Sequence, residues 1–226
     1  MHFLAMTTGH LKPYQSEFLQ LTLDLSVLKV GGEYKLKSGR ISPYFFNAGL
    51  FNTGKSLMAL GEAFASAIID SGIEFDMLFG PAYKGIPLVA AVAIAMAAKH
   101  GRDVPYAFNR KEAKDHGEGG VIVGSALKGK ILLIDDVITA GTAIRESVNL
   151  LSTYPECKLA GVAVAMDRQE KAPGSEMSAI QSVEKDFGLQ VVSIIGLSSI
   201  LELAKSRFSP ETFAALEKYR SEYGVF

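Results

Sequence analysis

The chain has 226 residues, 23 of them basic and 24 acidic, for a formal net charge of -1. At 48% hydrophobic and 21% charged it has the composition of a folded globular protein of one domain, which excludes a disordered chain. The near-neutral balance excludes a general nucleic-acid or membrane-surface binder but leaves room for a local basic site, and the single cysteine, Cys157, excludes an internal disulfide and fits a reducing cytoplasm.

Residues 1–11 read as a ragged end, and Met1–Met6 lacks the basic region and apolar stretch of an export signal. Pro13–Val30 has helical spacing in Phe18, Leu21, Leu25 and Leu28. Tyr34–Asn47, rich in Tyr, Phe and Ile, predicts a hairpin around Ser38-Gly39. Gly54–Ser71 predicts a helix, Met77–Phe79 a short strand ending at Gly80-Pro81, and Pro87–His100 a buried helix. The apolar run inside that helix, Ile86–Ala98, falls short of the roughly 20 residues of a membrane span. A strand follows at Val104–Phe108. Asn109–Gly120, charged, aperiodic and glycine-bearing, predicts a mobile loop. Strands at Val121–Val123 and Lys130–Ile134, a helix after Thr142, a strand at Leu159–Met166, a helix over Ser175–Phe187 and a strand at Val191–Ile195 come next. The tail predicts two helices, Leu197–Ser206 and Pro210–Tyr223, the second with Ser209 as N-cap and Pro210 in first position.

Strands alternating with helices imply an α/β fold, a mostly parallel sheet covered on both faces. The runs Ile131–Ile134 and Val162–Met166 read as central strands buried on both sides. Ligands of such sheets bind beyond the carboxyl ends of the strands. Three of those ends carry chemistry: Gly80-Pro81-Ala82-Tyr83-Lys84-Gly85, then Asp135-Asp136 with Val137-Ile138-Thr139-Ala140-Gly141-Thr142-Ala143, then Asp167-Arg168. The small residues of Thr139–Thr142 let backbone N–H groups converge at a helix N-terminus, a setting that holds phosphate. Asp135 and Asp136 would repel that phosphate unless they meet hydroxyls or a metal-bound part of the same ligand. A sugar phosphate meets both demands. Solvated charge at loop starts is the competing reading for each of these features taken alone.

The acidic pair and the Thr-Ala-Gly-Thr turn resemble the phosphoribosyl-diphosphate signature of the type I phosphoribosyltransferases. The run Arg110–Gly119 resembles the catalytic loop of the branch of that family that acts on orotate, as do Leu36–Arg40 and Ser42–Asn47. The resemblance spans about Lys12 to Tyr223. It implies a type I phosphoribosyltransferase-like fold in one domain over residues 1–226, with a small hood from about 12–47 and C-terminal elements. It also implies transfer of ribose 5-phosphate from 5-phosphoribosyl 1-diphosphate (PRPP) to orotate, toward UMP. In that reading Lys37, Tyr83, Lys84, Arg110, Lys111, Lys114, His116 and Asp135 through Ala143 meet PRPP. Lys37, Phe45, Phe46, Thr139 and Arg168 meet orotate, Arg168 through its carboxylate. Catalytic weight falls on Lys111, Lys114, His116, Asp135 and Asp136. Mg2+ is implied on substrate oxygens and water, with no protein cage, and a homodimer whose loop crosses the interface. Some members of the family have a cis peptide in the Pro81–Lys84 loop.

Three rivals need answering. Gly49–Ser56 matches the P-loop pattern of nucleotide hydrolases, although Ser42–Ala48 before it is not a buried apolar strand. A sensor of PRPP would share the fold but add a DNA-binding segment or lose the loop. A purine-base transferase would keep Asp135–Ala143 without needing Arg168.

Overall fold

The computed structural model describes residues 11–114, 120–138 and 141–225, with backbone only at 113 and 114. His116, Thr139 and Ala140 therefore lie outside the described residues, as do residues 1–10. In chain order the elements are α1 (Pro13–Asp24), β1 (Leu28–Lys35), β2 (Ile41–Phe46), α2 (Gly54–Ser71), β3 (Met77–Gly80), α3 (Gly85–His100), β4 (Tyr106–Lys114), β5 (Gly120–Gly124), β6 (Gly129–Val137), α4 (Thr142–Ser152), β7 (Cys157–Asp167), α5 (Ala179–Phe187), β8 (Gln190–Gly196), α6 (Leu197–Arg207) and α7 (Pro210–Tyr223).

Six strands form one sheet in the order β5-β4-β3-β6-β7-β8. Every pairing is parallel except that of β4 with the edge strand β5. Alternation along the central strands sorts side chains to two faces. Leu132, Ile134, Ala163 and Ala165 join α1, α2, α3, α6 and α7 in one core. Ile131, Leu133, Val162 and Val164 join α4 and α5 in the other. Burial on both faces is why these strands read as unbroken apolar runs.

The hairpin β1–β2 stands apart from this sheet as a two-stranded antiparallel ribbon. Its turn closes where Gly39 N–H reaches Leu36 O at 2.9 Å. It packs on α7, with the Tyr44 ring edge-on to Tyr219 at 6.0 Å and the Arg40 guanidinium 4.7 Å over Tyr223. Tyr44, Leu216 and Tyr219 belong to the same core as α1 and α2, so hairpin, C-terminal helix and sheet face share one apolar cluster.

Four boundaries differ from the sequence reading. The first helix stops at Asp24 because Ser26 turns left-handed at φ 56°, and Leu28 and Val30 then pair with Phe46 and Tyr44. The i, i+3 spacing of Leu25 and Leu28 suits a helix and does not reveal that stop. Residues 109–114 are strand, not loop: β4 runs on to Lys114 beside β5, with an irregular register after Asn109. Residues 109–112 are half-exposed or exposed, so no apolar period marks them. The central strand β6 extends past Ile134 to Val137, with Asp135 opposite Val164, so the acidic pair sits inside the strand. Finally α5 starts at Ala179, capped by Ser178, because Lys171 and Ser178 form a bridge that holds residues 171–178 in a turn.

The start of α3 is built without room for side chains. A Cβ on Gly80 would stand 2.1 Å from Gly85 O, and one on Gly85 would stand 2.6 Å from Pro81 Cδ. The chain therefore doubles back tightly at the end of β3 and sends Tyr83 and Lys84 outward, 71% exposed in the case of Tyr83. Among the described residues no helix is long and apolar enough to cross a membrane.

Candidate active site

Because β3, β6 and β7 are neighbours, their carboxyl ends bring the three chemically loaded turns together. Lys84 Nζ meets Asp136 Oδ2 at 2.6 Å across the gap between β3 and β6. Asp135 and Asp136 are buried, and Asp135 Oδ1 accepts the Asp136 N–H at 2.8 Å. A cleft of about 300 Å³ opens beside them, lined by Asp135, Val137, Ile138, Gly141, Thr142 and Ala143 among others. Gly141 adopts φ +71° as the N-cap of α4, and Thr142 and Ala143 open the helix. Free N–H groups of that first turn and the helix dipole face the cleft with partial positive charge. Carboxylates on one side and an anion-accepting turn on the other suit a ligand with both hydroxyls and a phosphate.

Burial pushes the Asp135 carboxyl up to about 7, with the charge of Asp136 adding to it. Desolvation acts because the group leaves water for the strand interior, and two adjacent carboxylates resist ionising together.

The Pro81–Lys84 turn is tied to β4 by Asn109 Oδ1, which accepts the Ala82 N–H at 2.9 Å. The Ala82–Tyr83 peptide is cis. Farther along the ribbon, Arg110 Nη1 donates to Gly120 O at 3.2 Å. Lys111 Nζ lies 3.7 Å from Glu146 Oε2, and Glu146 lines the same cleft. The backbone at Lys114 ends β4, and the ribbon's connecting residues 115–119 lie outside the described residues.

Arg168 follows β7 on the other side of the acidic pair. Its Nε donates to Glu170 Oε1 at 2.8 Å and its Nη2 to Glu170 Oε2 at 3.2 Å. The guanidinium lies 4.5 Å over the Tyr44 ring. Tyr44 immediately precedes Phe45 and Phe46, so the arginine packs on the strand, β2, that carries the aromatic segment. The Phe45 ring is partly exposed and stacks on Tyr34 at 5.9 Å. Phe46 is half-buried and packs on the core. Lys37 sits exposed in the hairpin turn and makes no ion pair among the described residues.

Residues 49–195 match the family model for the phosphoribosyl transferase domain. The chain is 56% identical over 216 residues to an orotate phosphoribosyltransferase of Salmonella paratyphi A, covering 95% of this chain and all of that one. The chain belongs to the orotate phosphoribosyltransferase family. An orotate phosphoribosyltransferase of Cronobacter sakazakii is 57% identical with the same coverage. A crystal structure of the Francisella tularensis orotate phosphoribosyltransferase superposes with a TM-score of 0.85 at 48% identity, covering 92% of this chain and 100% of that one.

Membership in the orotate phosphoribosyltransferases leaves the P-loop match without a role, and its local structure agrees. The match follows β2, a hairpin strand outside the parallel sheet, where a P-loop follows a central parallel strand. The Ser56 hydroxyl and N–H are turned back on Thr53, capping α2. Asn109, Glu146, Glu170, Tyr44 and Tyr219, none of them among the sequence-predicted site residues, also meet these turns or the side chains on them. Glu170, two residues beyond Arg168, offered a local signal. Tyr219 offered none, being 49 residues away.

The raised Asp135 carboxyl gives a stability test. Between the ordinary value of 3.8 and about 7 the unfolded chain has lost a proton that the folded chain keeps. The unfolded state then binds fewer protons, so stability falls as pH rises through that window. Asp135→Asn removes the titrating group, and urea unfolding of the ligand-free protein should show a flatter decline from pH 4 to 7 than the parent. Parallel profiles for the two proteins would contradict the assignment.

Proposed function

We infer that the chain transfers ribose 5-phosphate from PRPP to a ring nitrogen of orotate, giving orotidine 5'-monophosphate and diphosphate in de novo UMP synthesis. The observation that supports the assignment of the site is the Lys84–Asp136 contact at 2.6 Å beside the Asp135–Ala143 cleft. It brings a cation suited to diphosphate beside carboxylates suited to ribose hydroxyls, next to a cleft whose helix N-terminus suits the 5-phosphate.

In this reading Val137, Ile138, Thr139, Ala140, Gly141, Thr142 and Ala143 wrap the 5-phosphate, and Asp135 and Asp136 hold the ribose hydroxyls. Tyr83 and Lys84 meet the diphosphate, with Lys84 moving from Asp136 to the leaving group. Arg110, Lys111, Lys114 and His116 close over the same diphosphate from the ribbon. The bond from the anomeric carbon to the diphosphate oxygen breaks with its electron pair leaving on diphosphate, and the orotate ring nitrogen bonds to that carbon, its N–H proton passing to the departing diphosphate. Charge stabilisation and exclusion of water matter more here than a strong base, because the ribose turns cationic as the anion departs. Lys37, Phe45, Phe46, Thr139 and Arg168 hold orotate, with Arg168 matching its planar carboxylate. The hairpin and α7 act as a hood over the base, within a single domain.

Among the described residues no group of three or more His, Cys, Asp or Glu side chains is placed to cage a metal. The two carboxylates, Asp135 and Asp136, beside an open cleft would fit a cation carried mostly by substrate oxygens and water. Mg2+ bound that way supplies charge to neutralise the leaving diphosphate. The single cysteine supports a cytoplasmic location.

We also propose a homodimer, with the ribbon loop reaching a neighbouring site. Ile94 on α3 and Met58 on α2, 69% and 57% exposed, supply apolar surface for a second copy. The direct assay supplies PRPP, Mg2+ and orotate, with uracil, hypoxanthine and adenine as controls. Orotate absorbance should fall only when all components are present. Turnover of another base would overturn the roles of Arg168, Phe45 and Phe46. Silence with every base, in protein that still binds PRPP, would favour the sensor. For the shared loop, mixtures of a Lys111→Ala chain with an Asp135→Asn/Asp136→Asn chain should recover part of the parental activity by assembling one intact site. Mixtures as inactive as either variant would contradict a loop that crosses.

A further inference from the structure

Arg168 is held more firmly than a surface arginine needs to be. Its side chain and that of Glu170 are 15% and 14% exposed. Glu170 takes the Nε–Nη2 edge of the guanidinium at 2.8 and 3.2 Å. The ring of Tyr44, itself buried, covers one face at 4.5 Å. Nη2 also reaches Ser42 Oγ at a long 3.4 Å, the Tyr219 hydroxyl interacts with the same guanidinium, and Nη1 has no close hydrogen-bond partner among the described residues. One edge and one face of the guanidinium are thus fixed, and the Nη1 end is left to meet an acceptor.

Glu170 is in turn held from the far end of the chain. Tyr219 on α7 donates its hydroxyl to Glu170 Oε2 at 2.6 Å. Lys171 N–H reaches Tyr223 O at 2.8 Å, Val225 N–H reaches Gln169 O at 3.0 Å, and Glu170 bridges Gly224. The intervening Gln169 is left-handed at φ 51°, and its Oε1 accepts the Ser198 N–H at 2.7 Å near the start of α6. A non-glycine residue persists in that conformation only where its surroundings fix it. Two C-terminal helices therefore set the path of the chain on which Arg168 stands.

We propose that Glu170 and Tyr219 are positioning residues for the base substrate: they aim the Arg168 guanidinium so that its Nη1 end takes the orotate carboxylate. This rests on the assignment of Arg168 to that carboxylate. A planar guanidinium with one edge already engaged presents a fixed pair of donors, whereas a free one samples many orientations and loses affinity on ordering. Glu170 also puts negative charge near an anionic substrate. The Tyr219 hydroxyl offsets part of that by drawing on the carboxylate, so hydroxyl and carboxylate work as one unit.

Steady-state kinetics on four variants test this. Arg168→Lys comes first and should raise KM for orotate; an unchanged KM would sink the assignment of Arg168, whatever Glu170 does. Tyr219→Phe keeps the ring and removes only the hydroxyl. It should raise KM for orotate by about five-fold, with KM for PRPP and the melting temperature near parental values. Glu170→Gln should raise KM for orotate further, and Glu170→Gln/Tyr219→Phe should fall short of the sum of the two single changes, because hydroxyl, carboxylate and guanidinium form one network. A purely structural role would move both KM values and the melting temperature together, and the two changes would add. If Arg168→Lys impairs orotate use while Tyr219→Phe and Glu170→Gln leave it unchanged or improve it, the positioning role is overturned and the assignment of Arg168 stands.

Discussion

Two adjacent carboxylates lie in the buried end of the central strand β6, and the rest of the site is arranged to make that tolerable. Burying Asp135 and Asp136 side by side is unfavourable unless charge is matched or a proton is kept. The protein does both: Lys84 reaches across from β3 to Asp136, and Asp135 is pushed up to about 7. A ligand with hydroxyls and compensating cations relieves the same burden. The free site is thus poised for the sugar that the proposed reaction brings.

Parallel order in the sheet makes this arrangement possible. Residues 52 positions apart meet only because β3 and β6 are neighbours that end on the same side. On the next strand over, β7 delivers Arg168 to the hairpin rather than to the acidic pair. In the proposed reading, sugar-phosphate chemistry falls over β3 and β6, and base chemistry between β7 and the hairpin. The tight Gly80–Gly85 return and the left-handed Gln169 are the local backbone devices that turn each strand end toward its task.

What could be read in the sequence was what is local. Gly54–Ser71 and Pro210–Tyr223 have the predicted bounds because Thr53, Gly72, Ser209 and Pro210 are stop and start signals within a turn of the helix. The Asp135–Ala143 run was legible because strand, acid pair and turn are contiguous, and the ligand rule for parallel sheets located it. What escaped the sequence depends on partners far along the chain. The extension of β4 to Lys114 exists through pairing with β5, and the Glu170–Tyr219 contact exists through the docking of α7. The early stop of α1 follows from one left-handed serine, a conformation that side-chain pattern does not encode.

The measurement that bears most directly on this account is calorimetric titration of PRPP with Mg2+ into the parent protein and into Asp135→Asn/Asp136→Asn. If the buried pair holds the sugar, the variant should melt at or above the parental temperature at neutral pH yet bind at least about 100-fold more weakly. Parental affinity in a folded double variant would place the PRPP site elsewhere and contradict the account.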